Sequence, residues 1–247
     1  MDDMVEKTYI ILQARMNSER LPGKVMKQIG GTPIIGILIR RLKQSELPII
    51  LATSTNIEND ELVEYAKSLD VQIFRGSEDN VLERYYLAAK SVNAKTIIRV
   101  TGDNPLLDGR FLLENVNNYC NLNDERAYLS TGLSHSFPLG ISIEIFSFNL
   151  LEEAYDNAKH PGEFEHVTPY MHQNKPDNIN IIKVKRKEDR YHYRLTVDTS
   201  DDFMLNKKLI EEFECDKKDM EEIIQILDNN QELVHLNYTS IQKKWDE

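Results

Sequence analysis

Tyr9-Ile10-Ile11-Leu12-Gln13-Ala14 is a short, mostly apolar run of strand length near the start of the chain. Similar runs recur at 49–53, 71–74 and 96–100. Short apolar runs bounded by turn residues are typical of parallel strands that are buried on both faces. Segments with apolar residues at helical spacing lie between these runs, at 34–42, 62–69 and 81–89. The alternation predicts an α/β fold with a mostly parallel central sheet and helices on both faces.

The pattern changes after about residue 125. Strand-like pieces, ISIEIF at 141–146 and NIIKVK at 180–185, are separated by turn residues, so we expect a smaller β-rich lobe at 126–192. A further strand is predicted at 193–197, then helices near 202–213 and 217–227 and a polar tail ending in KKWDE. Because no low-complexity linker divides the chain, residues 1–247 are expected to form one domain.

The segment Gly30-Gly31-Thr32-Pro33 precedes the first helical pattern. Paired glycines are typical of a turn, threonine of a helix N-cap, and proline of the first position inside a helix. We therefore expect Thr32 to cap a helix that begins at Pro33.

Composition limits the kinds of partner. A chain of 247 residues with 40% hydrophobic types can bury one sizeable core, and its formal net charge of -11 makes nucleic acid an unfavourable partner. Cys120 and Cys215 are far apart and have no Cys or His set nearby, which argues against a disulfide framework or a structural zinc site. The acidic start MDDMVEK and the lack of an 18-residue apolar run predict a cytoplasmic protein with no membrane partner.

A basic loop follows the first predicted strand and places Arg15, Arg20 and Lys24 within ten residues. Open α/β sheets bind ligands at the carboxyl ends of their strands, and guanidinium groups pair with phosphate oxygens through two parallel hydrogen bonds. The loop matches neither the Walker nor the Rossmann glycine pattern. A solvated basic loop is the alternative, but the position after a first strand and the Pro22-Gly23 turn favour a phosphate-binding loop.

Two aspartates stand where predicted strands end, Asp103 in Val-Thr-Gly-Asp-Asn-Pro and Asp198 in Leu-Thr-Val-Asp-Thr-Ser. Magnesium prefers hard oxygen ligands and takes one or two carboxylates together with substrate phosphates, so the pair is a candidate magnesium site. The alternatives are a turn residue for Asp103 and a neighbour of the next helix N-cap for Asp198. Ser200 is a candidate for that N-cap, which would leave Asp198 available.

Several stretches together resemble one enzyme family. They are LQARMNSERLPGKVM, LATSTN, FRGSEDNVLERYYLAA, RVTGDNPLLD, FPLGISIEIFS, EHVTPY and RLTVDTSDDF, in order over about residues 8 to 206. The sequence is similar to the cytidylyltransferases that activate 3-deoxy-manno-octulosonate and sialic acids, and most closely to the branch named for spore-coat polysaccharide biosynthesis protein F. Thr101 departs from the octulosonate enzymes, which have glutamine in a VQGDEP version of the same stretch.

The resemblance implies a nucleotide-diphospho-sugar transferase type of fold, with CTP in the cleft at the strand ends and Mg²⁺ held by Asp103 and Asp198. It implies triphosphate contacts and catalytic roles for Arg15 and Lys24, with Asp103 as the third catalytic residue. The implied nucleotide-binding set is Gln13, Ala14, Arg15, Arg20, Lys24, Thr53, Ser77, Thr101 and Asp103. Ser77 is equally a candidate helix cap.

The 126–192 lobe is expected on the acceptor side of the cleft. The candidate acceptor-binding residues are Gly140, Ser142, Glu144 and His166. A hydrogen-bonded structural histidine is the alternative for His166. The second-half segment with which the octulosonate enzymes pair is not recognisable here, so a homodimer stays an open expectation.

The expected reaction is magnesium-dependent transfer of CMP from CTP to a small sugar, sugar acid or phosphorylated acceptor, with release of pyrophosphate, in surface polysaccharide biosynthesis. A metal-dependent glycosyltransferase is the competing enzyme, since nucleotide-sugar users share this sheet, but no D-x-D pair closes a strand here. A non-catalytic nucleotide-binding protein is the third hypothesis, and it would need neither a triphosphate loop nor paired aspartates.

Overall fold

The computed structural model describes residues 7–173, 176 and 178–240. Its strands are β1 (Thr8–Gln13), β2 (Gln28–Ile29), β3 (Thr32–Pro33), β4 (Ile49–Ser54), β5 (Gln72–Gly76), β6 (Thr96–Thr101), β7 (Ala127–Ser130), β8 (Glu144–Ser147) and β9 (Asn180–Lys183). Among these residues, seven strands form one sheet in the order β5-β4-β1-β6-β8-β7-β9, and β2 and β3 form a small antiparallel pair. The expected tail KKWDE lies outside the described residues.

The helices are α1 (Ile34–Leu42), α2 (Asp60–Ser68), α3 (Val81–Ser91), α4 (Gly109–Leu122), α5 (Phe148–Asn157), α6 (Pro161–His166), α7 (Pro169–His172), α8 (Ser200–Phe213), α9 (Met220–Asn229) and α10 (Gln231–Val234). Strands β5, β4, β1 and β6 run parallel, β8 runs antiparallel to both β6 and β7, and β9 is parallel to β7. The predicted mostly parallel sheet with helices is confirmed. Strands β7 to β9, from the 126–192 segment, continue the same sheet.

The apolar runs form central strands because both of their faces are covered. Ile10 and Leu12 of β1 contribute to one core cluster, which also takes in α1, α4 and α8. Ile11, between them, contributes to a second cluster with α3 and α5. Successive strand residues point to opposite faces, so a strand that is buried on both sides reads as an unbroken apolar run.

The strand predicted at 193–197 is wrong. This segment is buried and extended, but it pairs through a single bridge between Leu139 and Arg194, with hydrogen bonds from Leu195 N to Leu139 O at 2.7 Å and from Leu139 N to Tyr193 O at 2.8 Å. Gly140, which follows Leu139, has φ +98°, and a Cβ built there would lie 2.5 Å from Thr196 N. The chain therefore turns at Gly140, and its pairing with the 193–197 segment ends after one residue.

Two predicted helix starts and one strand start also differ. Gly30 and Gly31, with φ +56° and +76°, form the turn between β2 and β3, and Pro33 rather than Thr32 is the N-cap of α1. The N-cap of α8 is Thr199 rather than Ser200. Strand β8 begins at Glu144, three residues after its predicted start.

Candidate active site

A cleft of about 610 Å³ opens at the carboxyl ends of β1 and β6. Strand residues, the basic loop after β1 and the segments around 140, 166 and 198 line it. Its lining residues are Gln13, Ala14, Arg15, Asn17, Ser18, Glu19, Arg20, Lys24, Val25, Val81, Arg99, Thr101, Gly102, Asp103, Asn104, Leu139, Gly140, Ser142, Glu165, His166, Thr196 and Asp198. The predicted basic loop and both predicted aspartates therefore meet in one cavity.

The ammonium of Lys24 lies between the two aspartates. Its Nζ donates to Oδ2 of Asp103 at 2.9 Å and to Oδ1 of Asp198 at 2.8 Å. Burial opposes the charged form of Lys24, but the two carboxylates outweigh it and raise the pKa of the ammonium. Both carboxylate oxygens lie within hydrogen-bond distance of the same nitrogen. The two carboxylates are therefore close together, although 95 positions separate the residues in the sequence.

A buried network holds Asp198 behind the cleft. Arg194 donates from Nη2 to Oδ2 of Asp198 at 2.8 Å, and its Nε donates to Oδ1 of the fully buried Asp202 at 2.8 Å. Asp202 also accepts from the backbone N–H groups of Asp198 and Thr199, both at 3.0 Å. Burial would raise the pKa of Asp198, but Lys24, Arg20 and Arg194 lower it, so the carboxylate is charged at neutral pH.

Asp103 is held by the turn that ends β6. The hydroxyl of Thr101 donates to Oδ1 of Asp103 at 2.7 Å and itself accepts from Nδ2 of Asn104 at 2.9 Å. The carbonyl oxygen of Asp103 accepts from Val197 N at 2.8 Å, which ties this turn to the residue before Asp198. Thr101, the position that departs from the octulosonate enzymes, thus orients one of the two aspartates.

The basic loop has a defined shape. Gly23 has φ +66° and donates to the carbonyl oxygen of Met16 at 3.0 Å, while Met16 N donates to Oδ1 of the buried Asn59 at 2.9 Å. Arg15, at one end of the loop, pairs with Glu78 at 3.0 Å, and Arg20 pairs with Oδ2 of Asp198 at 3.2 Å. The loop thereby directs three cations toward one cavity, as the phosphate-binding hypothesis requires.

The remaining predicted residues divide into two groups. Gln13, Ala14, Gly140, Ser142 and His166 line the cleft. Thr53, Ser77 and Glu144 are outside its lining in the part of the chain that the structure describes.

Each of the three residues outside the lining has a defined place. Thr53 is fully buried in β4. Ser77 Oγ accepts from Asn80 N at 3.0 Å, and Asn80 rather than Ser77 is the N-cap of α3. The side chain of Glu144 is 15% exposed and contacts Arg99. The roles assigned to these residues stay predictions.

His166 is part of the lining of the cleft. Burial lowers the pKa of its imidazole, and the nearby Arg99 lowers it further, while Glu165 and Glu144 act in the opposite direction. The ring is therefore neutral at pH 7. It can donate or accept a hydrogen bond, but it does not add a positive charge to the cleft.

The donor set of the aspartate pair suits a hard divalent cation. Carboxylate oxygens are the ligands that Mg²⁺ prefers, and magnesium sites commonly use one or two carboxylates and complete their shell with water and substrate phosphates. Within 7–173, 176 and 178–240 there is no group of three or more His, Cys, Asp or Glu residues placed to hold a metal. Two carboxylates beside a loop with three cations fit a metal that arrives together with a triphosphate better than a permanent protein-only site.

The sequence interpretation missed Arg99, Arg194 and Asp202. Arg99 is a cation inside the apolar run TIIRVT, and Arg194 follows an aromatic residue in an equally apolar segment. A charged residue in a run that is otherwise read as buried needs a partner, and that signal could have found both. Asp202 is the third residue of α8 and forms a capping box with Thr199. Because the capping box already explains an acidic residue at this position, the sequence does not indicate that Asp202 also pairs with Arg194.

A mostly parallel sheet, with a basic loop after β1 and with Asp103 and Asp198 on either side of Lys24 in the cleft, is the arrangement of a nucleotidyltransferase-type α/β enzyme. Residues 9–244 match the family model of the cytidylyltransferases. The chain belongs to the cytidylyltransferase family, as the sequence resemblance predicts.

Two relatives cover most of the chain. Uncharacterized protein MJ1063 of Methanocaldococcus jannaschii is 39% identical over 241 residues, covering 96% of this chain and 97% of the relative. Spore coat polysaccharide biosynthesis protein SpsF of Bacillus subtilis is 32% identical over 208 residues, covering 81% and 84%.

Two solved structures share the fold. A cytidylyltransferase from Leptospira borgpetersenii serovar Hardjo-bovis is 31% identical, with a TM-score of 0.85 and coverage of 96% of this chain and 99% of that one. CMP:2-keto-3-deoxy-manno-octonic acid synthetase, solved in complex with CTP, is 16% identical, with a TM-score of 0.64 and coverage of 84% and 99%. Among the described residues of this chain, no helix has the length and apolar character to cross a membrane.

Proposed function

We propose that this protein transfers CMP from CTP to a small sugar, sugar acid or phosphorylated acceptor, with release of pyrophosphate and with Mg²⁺ as the metal. The observation that carries the proposal is the position of Lys24, within hydrogen-bond distance of both Asp103 and Asp198, in the cleft that Arg15 and Arg20 also line. A cluster of three cations and two carboxylates suits a metal–triphosphate ligand.

The reaction needs a positioned acceptor and stabilisation of the leaving group. An acceptor oxygen forms a bond to the α-phosphorus, the bond from that phosphorus to the α,β-bridging oxygen breaks, and pyrophosphate leaves with the electron pair. When the acceptor group is a hydroxyl, its proton passes to solvent or to a nearby base. Lys24, Arg15 and Arg20 offset the negative charge that develops on pyrophosphate, and pre-oriented cations of this kind supply a large part of catalysis in such reactions.

Asp103 and Asp198 are the residues that would hold the metal. A bound Mg²⁺ would supply further neutralisation of the phosphate oxygens. Lys24 bridges the same two carboxylates and would have to share them with the cation or move toward the phosphates. Its long, flexible side chain allows this movement, whereas Asp103 and Asp198 are fixed by Thr101 and Arg194.

The acceptor is proposed to lie on the 126–192 side of the cleft, where Gly140, Ser142 and His166 form the wall. We further propose that residues 1–247 act as one domain in the cytoplasm. The SpsF relative supports a place in surface polysaccharide biosynthesis. A homodimer is part of the proposal on the resemblance to the octulosonate enzymes alone.

Nucleotide choice is tested by thermal unfolding in MgCl₂. A ligand that binds only the folded state raises the unfolding midpoint, so CTP should protect the protein more than ATP or GTP does. Arg15→Ala and Lys24→Ala should lose most of this protection, whereas Arg40→Ala, at an exposed position on α1, should keep it. Equal protection by all three nucleotides would remove the cytosine preference.

The reaction is tested by measuring pyrophosphate release, which should require both CTP and an acceptor. Consumption of a nucleotide-sugar instead would identify a glycosyltransferase.

A further inference from the structure

Arg99 is a charged residue in the centre of the sheet. It lies in β6, two residues before Thr101, and its side chain lines the cleft although it is only 15% exposed. Alternate strand residues share a face, so Arg99 and Thr101 point to the same side of the sheet, about 7 Å apart along the strand. Arg99 therefore lies farther from the carboxyl end of β6 than the turn that carries Asp103.

A second charged residue holds the guanidinium in place. Glu144 is the register partner of Arg99 on β8, and Arg99 Nη1 donates to its Oε2 at 2.5 Å. The other carboxylate oxygen, Oε1, accepts from the hydroxyl of Tyr128 and from Thr168 Oγ1, the latter at 2.7 Å. The guanidinium carbon also lies 5.9 Å from the ring centroid of Tyr85. Three elements besides β6 thus fix the orientation of one arginine.

Burial acts against both charges, but each charge stabilises the other. Arg99 and the two hydroxyl donors outweigh burial and lower the pKa of Glu144, while Glu144 outweighs burial and raises the pKa of Arg99. Both groups are charged at neutral pH. A buried ion pair of this kind contributes little net stability compared with apolar residues of similar volume, so stability alone does not account for its presence in a ligand cleft.

The guanidinium retains donors for a ligand. Arginine has five N–H donors, and within the described part of the chain Arg99 donates one hydrogen bond, to Glu144, while its buried Nε has no partner. A planar fork with unused donors matches a carboxylate or a phosphate. The ion pair spans β6 and β8, whereas the basic loop follows β1 on the other side of β6. The free donors are thus separate from the cations assigned to the triphosphate.

We propose that Arg99, held in position by Glu144, binds an anionic group of the acceptor, either a carboxylate or a phosphate, and so excludes neutral acceptors. This inference rests on the proposed cytidylyl transfer. Arg99 contacts the acceptor, and Glu144 is a positioning residue that acts through Arg99. Ser142 and the neutral His166, also in this wall, are placed to bind hydroxyl groups of the same acceptor.

The test measures pyrophosphate release from CTP and MgCl₂ with matched acceptors. One arm pairs sugar acids with their methyl esters, and the other pairs sugar phosphates with the free sugars, so that the two arms separate a carboxylate from a phosphate. Turnover should require the carboxylate in the first arm or the phosphate in the second. Arg99→Gln should raise the acceptor KM by about tenfold to a hundredfold, the cost of losing a charge-assisted contact. The Kd for CTP should stay within about twofold of the wild-type value.

Further variants separate binding from folding. Arg99→Gln leaves Glu144 buried without its cation, so the Arg99→Gln/Glu144→Gln double variant removes both charges and keeps the shape. It should fold and show the same rise in acceptor KM. Glu144→Gln alone should raise the acceptor KM with little change in kcat, because it loosens Arg99 without removing it. Arg40→Gln, at an exposed arginine on α1, is the matched control.

The outcomes distinguish this inference from the proposed function. Wild-type protein that fails to bind CTP overturns the proposed function itself. Protein that binds CTP but uses neutral and anionic acceptors equally overturns only the role of Arg99. If no acceptor is turned over, binding of the same anions is measured by calorimetry on protein loaded with a non-hydrolysable CTP analogue. Absence of binding, or binding that Arg99→Gln leaves unchanged, would contradict the proposed subsite. An equal loss of CTP and acceptor binding in Arg99→Gln would move Arg99 to the nucleotide site.

Discussion

The backbone N–H of Val197 donates a 2.8 Å hydrogen bond to the carbonyl oxygen of Asp103. This bond joins the turn that ends β6 to the segment that carries Asp198, two parts of the chain that are far apart in sequence. It involves only backbone atoms, so the carboxylates of Asp103 and Asp198 can be changed without breaking it. Substitution of either carboxylate therefore leaves this backbone link between the two segments in place.

Asp103→Asn and Asp198→Asn should each lower turnover by roughly a hundredfold or more, the order expected when one strong electrostatic contact to the transition state is lost. The double variant should lose less than the product of the two single losses, because residues that serve one metal–triphosphate unit act together. Steady-state kinetics with saturating CTP measure this. Asp201→Asn, at an exposed position in the first turn of α8, is the control, and multiplicative losses would indicate two independent roles.

Lys24→Ala should destabilise the metal-free protein more than the metal-bound protein. Without the ammonium, the carboxylates of Asp103 and Asp198 face each other across the cleft, at an expected cost of about 1–3 kcal/mol to the free energy of unfolding. Mg²⁺ can replace the missing charge. The unfolding midpoint of Lys24→Ala should therefore rise more on adding MgCl₂ than that of the wild type or of Lys43→Ala, an exposed control, and an identical rise would argue against a shared cation position.

Arg41→Leu should destabilise the fold without touching the cleft. Arg41 is 2% exposed, and its guanidinium donates to the backbone carbonyl oxygens of Leu106, Leu107, Cys215, Asp216 and Lys218, at 2.8 to 3.2 Å. Removing it leaves several buried carbonyls without a donor, so the free energy of unfolding should fall by about 3 kcal/mol or more. Lysine cannot reproduce the planar fork, and Arg41→Lys should rescue little.

Chemical denaturation is the measurement for Arg41, with Arg40→Leu as the exposed neighbouring control. Folded Arg41→Leu should still bind CTP with an unchanged Kd. A loss below about 1 kcal/mol would mean that the carbonyls find other donors.

His166 should contribute to acid destabilisation. Burial lowers its pKa in the folded protein below the unfolded value of about 6.5, so the unfolded state takes up a proton first as the pH falls. The neutral ring therefore supports the fold above about pH 6.5, and this support is lost as the pH falls from there through the folded pKa. His166→Asn should lose less stability than the wild type between about pH 6.5 and 5, measured by urea denaturation. His192→Asn, at an exposed histidine, is the control, and parallel curves for His166→Asn and the wild type would contradict the expected burial.

The sequence predicted the parallel half of the sheet better than the rest. Strands β1, β4 and β6 are apolar because both of their faces are covered, and that pattern is visible without a structure. Residues 193–197 are equally apolar and equally buried, but the turn at Gly140 limits their pairing to one bridge. Burial can be read from composition, whereas ladder pairing depends on a partner that is remote in the sequence.

The same distinction applies to the site. Arg15, Lys24, Asp103 and Asp198 are recognisable because each follows a strand or lies in a motif, and the structure places them in one cleft. The partnership of Arg99 with Glu144 depends on the antiparallel register between β6 and β8, which no local pattern specifies. Arg194 and Asp202 are close because the extended segment meets the start of α8, and this contact also required the folded chain.

Transfer of CMP from CTP can be followed through the phosphorus atoms of the nucleotide. The protein is incubated with MgCl₂, a mixture of sugar acids and sugar phosphates, and CTP labelled either at the α-phosphate or at the γ-phosphate. We expect the α-label in a CMP-linked acceptor and the γ-label in pyrophosphate, in equal amounts, and we expect Asp103→Asn to suppress both. Release of the γ-label as free phosphate, or transfer of the γ-label to the acceptor, would show that the protein does not transfer CMP.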